Sequence, residues 1–132
     1  MTVEELMIND WVQSSSGKYC KYKFPTSDYG HLDGMLLMED SKGDRYFTGF
    51  EDISPIPLTK EILEKNGFVY HKGEKSVFGV TTAPYYVYEE FPRIYCDGNP
   101  FSVWFEEEVS IEYVHQLQHV LRLCEINKEI EL

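Results

Sequence analysis

His115 and His119 stand four residues apart, with Glu112 one turn earlier. On a helix that spacing sets two imidazoles on one face, where they can hold a metal ion. A zinc-protease helix also needs a Glu directly after the first His as general base, and Gln116 occupies that position. The third ligand of a metal-dependent hydrolase would have to come from elsewhere. A solvated polar helix face, or a contact surface, accounts for the same two histidines without a metal.

Glu106-Glu107-Glu108 precede the last expected helix, where carboxylates complement the positive helix start. They lack the alternating Asp/Asn and the Gly of a calcium loop. Cys20, Cys96 and Cys124 are odd in number, far apart and set in or beside apolar segments. That pattern reads as three reduced thiols rather than a disulfide framework or a zinc site. Neither a GxSxG elbow, nor a phosphate-binding loop, nor a dinucleotide glycine pattern occurs in the sequence. The residues name no catalytic group and imply no cofactor.

A fourth constellation is aromatic. Tyr85, Tyr86, Tyr88, Phe91 and Tyr95 crowd one expected hairpin, with strands at Tyr85–Tyr88 and Arg93–Cys96. Alternation sends Tyr86 and Tyr88 to one face and Tyr85 and Val87 to the other. Either the hairpin is buried on both sides, or one aromatic face meets a partner.

The elements that must position these groups read as an α+β chain. In the N-terminal half, Leu6–Val12 leads in through a turn at Asn9-Asp10, and Ser14–Gly17 is a loop. Tyr19–Phe24 alternates, with Cys20, Tyr22 and Phe24 on one face. Pro25–Gly34 is polar and turn-rich. Met35–Met38 and Arg45–Phe50 are strands around a turn at Ser41–Asp44. This spacing suggests a small bent antiparallel sheet of the SH3-like barrel kind.

Next comes the clearest local signal, Pro55-Ile56-Pro57-Leu58-Thr59. The prolines hold the chain extended, Thr59 caps a helix Lys60–Asn66, and Leu58 staples to Leu63. Gly67 takes the left-handed position after it, with Phe68 packing back on Leu63. A second antiparallel strand set follows: Phe68–His71, Ser76–Val80 beyond a turn at Lys72–Lys75, the aromatic hairpin, a turn at Asp97–Pro100, and Phe101–Phe105. An amphipathic helix over 110–126 closes the chain, capped by Ser110 with Val109 stapled to Val114. Its core face is Tyr113, Val114, Leu117, Val120, Leu121 and Cys124; His115, His119, Glu112 and Arg122 face away. The chain reads as one domain, 1–132, with subdomains 1–56 and 57–132.

The segment Pro55–Thr59 with Leu63 and Gly67-Phe68, together with Tyr113-Val114-His115-Gln116-Leu117-Gln118, resembles a family of small proteins common in Bacteroides-type gut bacteria and their mobile elements. The resemblance spans most of the chain. It implies an accessory protein of a phage or mobile element and carries no assigned activity or site residues.

Composition sets the outer bounds. The 132 residues are 42% hydrophobic and 15% aromatic, enough for a packed core. With 23 acidic and 12 basic residues the net charge is −11, shared by both halves. That balance disfavours nucleic acid and anionic membranes as partners. No apolar run approaches the ~20 residues that span a bilayer. The first ten residues hold Glu4 and Glu5 and no Lys or Arg, unlike a signal peptide, so a cytoplasmic setting is expected. The leading expectation is a non-catalytic protein-interaction module that binds another protein or a second copy of itself. An acidic mimic of nucleic acid that blocks a DNA-binding defence enzyme stands behind it, and the metal-dependent hydrolase is third. A nucleic-acid site at Lys18, Lys21 and Lys23 with Tyr19 and Tyr22 ranks with the hydrolase.

Overall fold

The computed structural model describes residues 6–25, 35–73, 75–80, 82–96, 101–104 and 107–132. The turn expected at Asp97–Pro100, Glu106, and nearly all of the stretch Pro25–Gly34 lie outside the described residues. The fold is α+β, with two antiparallel five-stranded sheets and two helices among the described residues, and the chain divides into two compact units, 1–56 and 57–132.

The first unit is a meander of β1 (Trp11–Ser14), β2 (Tyr19–Pro25), β3 (Met35–Asp40) and β4 (Arg45–Gly49), then a 3-10 turn at Phe50–Asp52 and β5 (Ile53–Pro55). The order is β4-β3-β2-β1-β5, so the last strand returns beside the first. Among the described residues the sheet does not close into a barrel. A register shift between Tyr22 and Phe24 bends β2 against β3. The inner face follows the period of two: Val12, Cys20, Tyr22, Leu36 and Met38 are buried together with Leu6 and Ile53. The lead-in turn forms as expected. Asn9 takes a left-handed φ of 75°, and the Asp10 carboxylate accepts from the Met7 N–H at 2.8 Å.

The second unit opens with α1 (Lys60–Lys65), which forms for the local reasons given above. Thr59 Oγ1 accepts from the Ile62 N–H at 3.2 Å, and Leu58 and Leu63 are both buried. At its end Gly67 takes a φ of 86°; the Phe68 N–H donates to Leu63 O and the Gly67 N–H to Glu64 O, a Schellman closure. The extended Pro57-Leu58 segment bridges to Tyr113, with the Leu58 N–H donating to Glu112 O at 3.0 Å.

The second sheet comprises β6 (Val69–His71), β7 (Tyr85–Val87), β8 (Ile94–Tyr95), β9 (Phe101–Trp104) and β10 (Glu108–Ile111), paired in sequence order. Three expectations fail here. Ser76–Val80 is a turn rather than a strand, because the Ser76 hydroxyl accepts from the N–H groups of Phe78 and Val80 and so takes the bonds a ladder would need. Ser110 lies in β10 opposite Ser102, so it caps nothing, and Glu107 precedes and Glu108 opens that strand rather than a helix. The last helix, α2, is shorter than expected, Val114–Leu123. Its start is fixed by Gln116, whose Oε1 accepts from the N–H groups of Glu112 and Tyr113 at 2.7 and 3.0 Å.

After α2 the chain turns at Glu125, with a φ of 58°, and runs back with Ile130 buried. Asn66, which ends α1, ties this tail down. Its side-chain N–H donates to Glu131 O and its Oδ1 accepts from the Glu131 N–H, both at 2.7 Å. The amide thus presents the donor and acceptor that a neighbouring strand would offer. No helix among the described residues is long and apolar enough to cross a membrane.

Candidate functional site

The histidine pair does not stand on a solvated face. His115 is 1% exposed and His119 half-buried, their rings 5.6 Å apart and nearly perpendicular. The reversal has a physical cause. Burial on α2 covers Val114, His115, Leu117, Gln118, Val120 and Leu121, far wider than the stripe that periodicity marks. Tyr113 also lays its ring parallel to that of His115 at 5.8 Å. Among the described residues no three His, Cys, Asp or Glu side chains gather into a set able to hold a metal ion.

The aromatic hairpin forms as read from the sequence, with Tyr85 opposite Tyr95 and Tyr86 opposite Ile94. Its five aromatic residues then part into three groups. Tyr86 faces the core at 1% exposed, its hydroxyl 3.3 Å from Glu64 Oε1, on which it donates. Burial, and then the nearby Glu64 carboxylate, push its phenol up to about 12. Tyr88 and Phe91 gather around Phe68, at centroid distances of 5.0 and 5.9 Å, at the turn where the Phe91 N–H donates to Tyr88 O. Tyr85 and Tyr95 remain together on the outer face, 6.1 Å apart.

That outer face is the candidate site. Cross-strand register aligns His71, Tyr85, Tyr95, Ser102 and Ser110 in one row across all five strands. The rings of His71 and Tyr85 stack at 5.2 Å and 7°, and the Arg93 guanidinium lies 4.3 Å from the Tyr85 centroid. Alternation along the strands adds Val69, Val87 and Trp104 to the same side. Val69 is 57% and Trp104 54% exposed, and Tyr85, Val87 and Tyr95 are half-buried. Sequence reading named Tyr85 and Tyr95 but missed His71, Arg93 and Trp104. They join the face only through strand pairing, which carries no local signal.

The same row in the first sheet is built differently. Trp11, Lys21, Glu39 and Arg45 align across β1 to β4. Lys21 Nζ covers the Trp11 ring at 4.9 Å, and Glu39 lies 3.2 Å from Arg45 and 3.8 Å from Lys23. Charge and aliphatic stems shield the aromatic ring there. Such a row keeps its water, because removing water from several charges at once is costly. The outer row of the second sheet carries π faces, the exposed Ser110 and the buried Ser102, with one nearby guanidinium, so fewer charges lose water when it is covered.

Comparison with protein-family models, curated proteins and solved structures finds no match to this chain.

Proposed function

We propose that this chain is a non-catalytic protein-interaction module whose contact surface is the outer face of the β6–β10 sheet. One observation carries the reading: an aligned aromatic row, His71-Tyr85-Tyr95, flanked by Arg93 and an exposed Trp104, where the other sheet has a charged row. Trp, Tyr and Arg are the residues that dominate binding energy at protein interfaces, where a few desolvated anchors each contribute about 2 kcal/mol or more. The partner is a protein that lays an apolar or aromatic surface against this row.

The setting belongs to the same reading. An accessory role in a phage or mobile element rests on the resemblance of the Pro55–Phe68 and Tyr113–Gln118 segments. A cytoplasmic location is supported by Cys20, Cys96 and Cys124, which form no disulfide with one another. An SH3-like arrangement of the first unit is supported by the return of β5 beside β1 after a 3-10 turn.

Affinity capture from the source cells tests the contact surface. The expected result is a stoichiometric protein partner that is lost with the Tyr85→Ser, Trp104→Ser variant and retained with Glu39→Ala. Equal capture by all three proteins, or no capture by any, overturns the proposal.

A further inference from the structure

We propose that the turn 76–80 is a docking finger that seats in the cleft beside Tyr88 of a second copy of this chain. The turn is held by its own hydrogen bonds. The Ser76 N–H donates to Val80 O at 2.8 Å and the Gly79 N–H to Ser76 O at 3.0 Å. The Ser76 hydroxyl oxygen accepts from the Phe78 and Val80 N–H groups at 3.3 and 3.2 Å. Gly79 supplies the left-handed φ of 82° that closes it. This leaves Val77 and Phe78 96% and 90% exposed, with Val80 at 66% beside them. Single exposed apolar residues are ordinary on a protein surface. Three together on one hydrogen-bonded turn form a convex apolar projection, a shape that fits a concave seat.

Charge points to the seat. Lys72 and Lys75, both exposed, precede the finger, with Glu74 between them in the sequence. In a chain of net charge −11 this run of two lysines and one glutamate is locally cationic, and it favours a rim of carboxylates. The second unit holds such a seat. A cleft of about 610 Å³ is lined by Tyr88, Glu89, Glu90, Cys124, Glu125, Ile126 and Asn127. Glu89, Glu90 and Glu125 are exposed, and half-buried Tyr88 and Ile126 supply apolar surface. Lys128, its Nζ 5.6 Å from the Tyr88 ring centroid, is a cation beside it. The cleft is open and its lining mostly polar, so the Phe78 ring packs on Tyr88 and Ile126, and the volume has room for it with a valine neighbour. The finger does not fill the cleft of its own chain, since Phe78 stands open to solvent. A twofold arrangement gives each copy one finger and one seat, so the contact occurs twice and closes.

This contact uses neither Tyr85 nor Trp104 and goes beyond the sheet-face reading. Salt dependence does not test it, because salt screens the local attraction and the repulsion between two acidic chains alike. Charge and shape variants do. Sedimentation velocity of the full chain over a range of concentrations is expected to show a reversible dimer. Phe78→Asp and Glu125→Lys are each expected to weaken it at least about tenfold. Mixed together, these two variants should form a heterodimer above the level of either alone, one supplying the intact seat and the other the intact finger. Trp104→Ser should leave the dimer unchanged. Both altered positions near the contact are exposed, and circular dichroism of each variant verifies the fold. A chain that stays monomeric at its highest soluble concentration overturns the proposal, as does a dimer indifferent to Phe78→Asp. Loss of the dimer with Trp104→Ser and not with Phe78→Asp also overturns it and moves self-association to the sheet face.

Discussion

The two sheets have like inner faces and unlike outer ones. In the first, Val12, Cys20, Tyr22 and Met38 point inward, and the outer row Trp11-Lys21-Glu39-Arg45 is sealed by charge. In the second, Tyr86, Ile94, Val103 and Ile111 point inward, and the outer row His71-Tyr85-Tyr95-Ser102-Ser110 is aromatic and hydroxylic. Both arrangements satisfy the strand period, so folding alone does not demand the difference. The contrast is confined to these central rows, since Tyr19 and Phe47 are also exposed on the outer face of the first sheet.

The likeness of the inner faces can be broken first, where the largest effects are expected. Met38→Ala and Ile94→Ala each remove a fully buried side chain, and each should cost about 2–5 kcal/mol in urea denaturation. A loss below about 1 kcal/mol at either position would mean that the corresponding inner face is not a packed core.

High pH separates the units next. Tyr86 is held up to about 12, by burial first and Glu64 second, against an ordinary phenol value of 10. The folded state favours the neutral phenol. Its contribution is therefore intact below pH 10 and is lost as the pH climbs towards 12. The difference of about two units corresponds to about 2–3 kcal/mol. Alkaline denaturation should show that share disappear in Tyr86→Phe. Tyr46 and Tyr22 in the first unit are also raised, mainly by burial, so part of the alkaline sensitivity should persist there.

The outer rows should give the smallest effects on stability. Glu39→Ala breaks pairs with Arg45 and Lys23 at the surface and should cost less than about 1 kcal/mol. Tyr85→Ser loses a stack with His71 and the Arg93 contact, and about 1 kcal/mol is expected by urea denaturation. A much larger loss for Tyr85→Ser would make that row part of the fold rather than a contact surface.

How far the sequence announced this follows from the range of each signal. Helix α1 was legible in full, because Leu58, Thr59, Leu63, Gly67 and Phe68 settle its two ends within eleven residues. The Tyr85–Tyr95 hairpin was legible for the same reason. Helix α2 was overextended because Ser110 is a good cap in isolation, and its pairing with Ser102 across β9 overrides that preference. Ser76–Val80 read as a strand, while the Ser76 hydroxyl and Gly79 made a turn. The burial of His115 depends on cover beyond the helical stripe, which periodicity along one helix cannot register. The aromatic row is the extreme case. Its members come from five separate strands, and no short segment contains the row.

The clamp from Asn66 onto Glu131 has a consequence in time. The two residues lie 65 apart in the chain, and the amide joins them as a non-covalent clasp around the second sheet and α2. During synthesis the hairpin β7–β8 can pair soon after it leaves the ribosome, since its partners are close in sequence. The clasp cannot shut until residue 131 has emerged. Until then the Asn66 amide, buried in the finished fold, must bond to water or to whatever strand approaches it. The contacts of residue 131 therefore complete the second unit after its hairpin has paired.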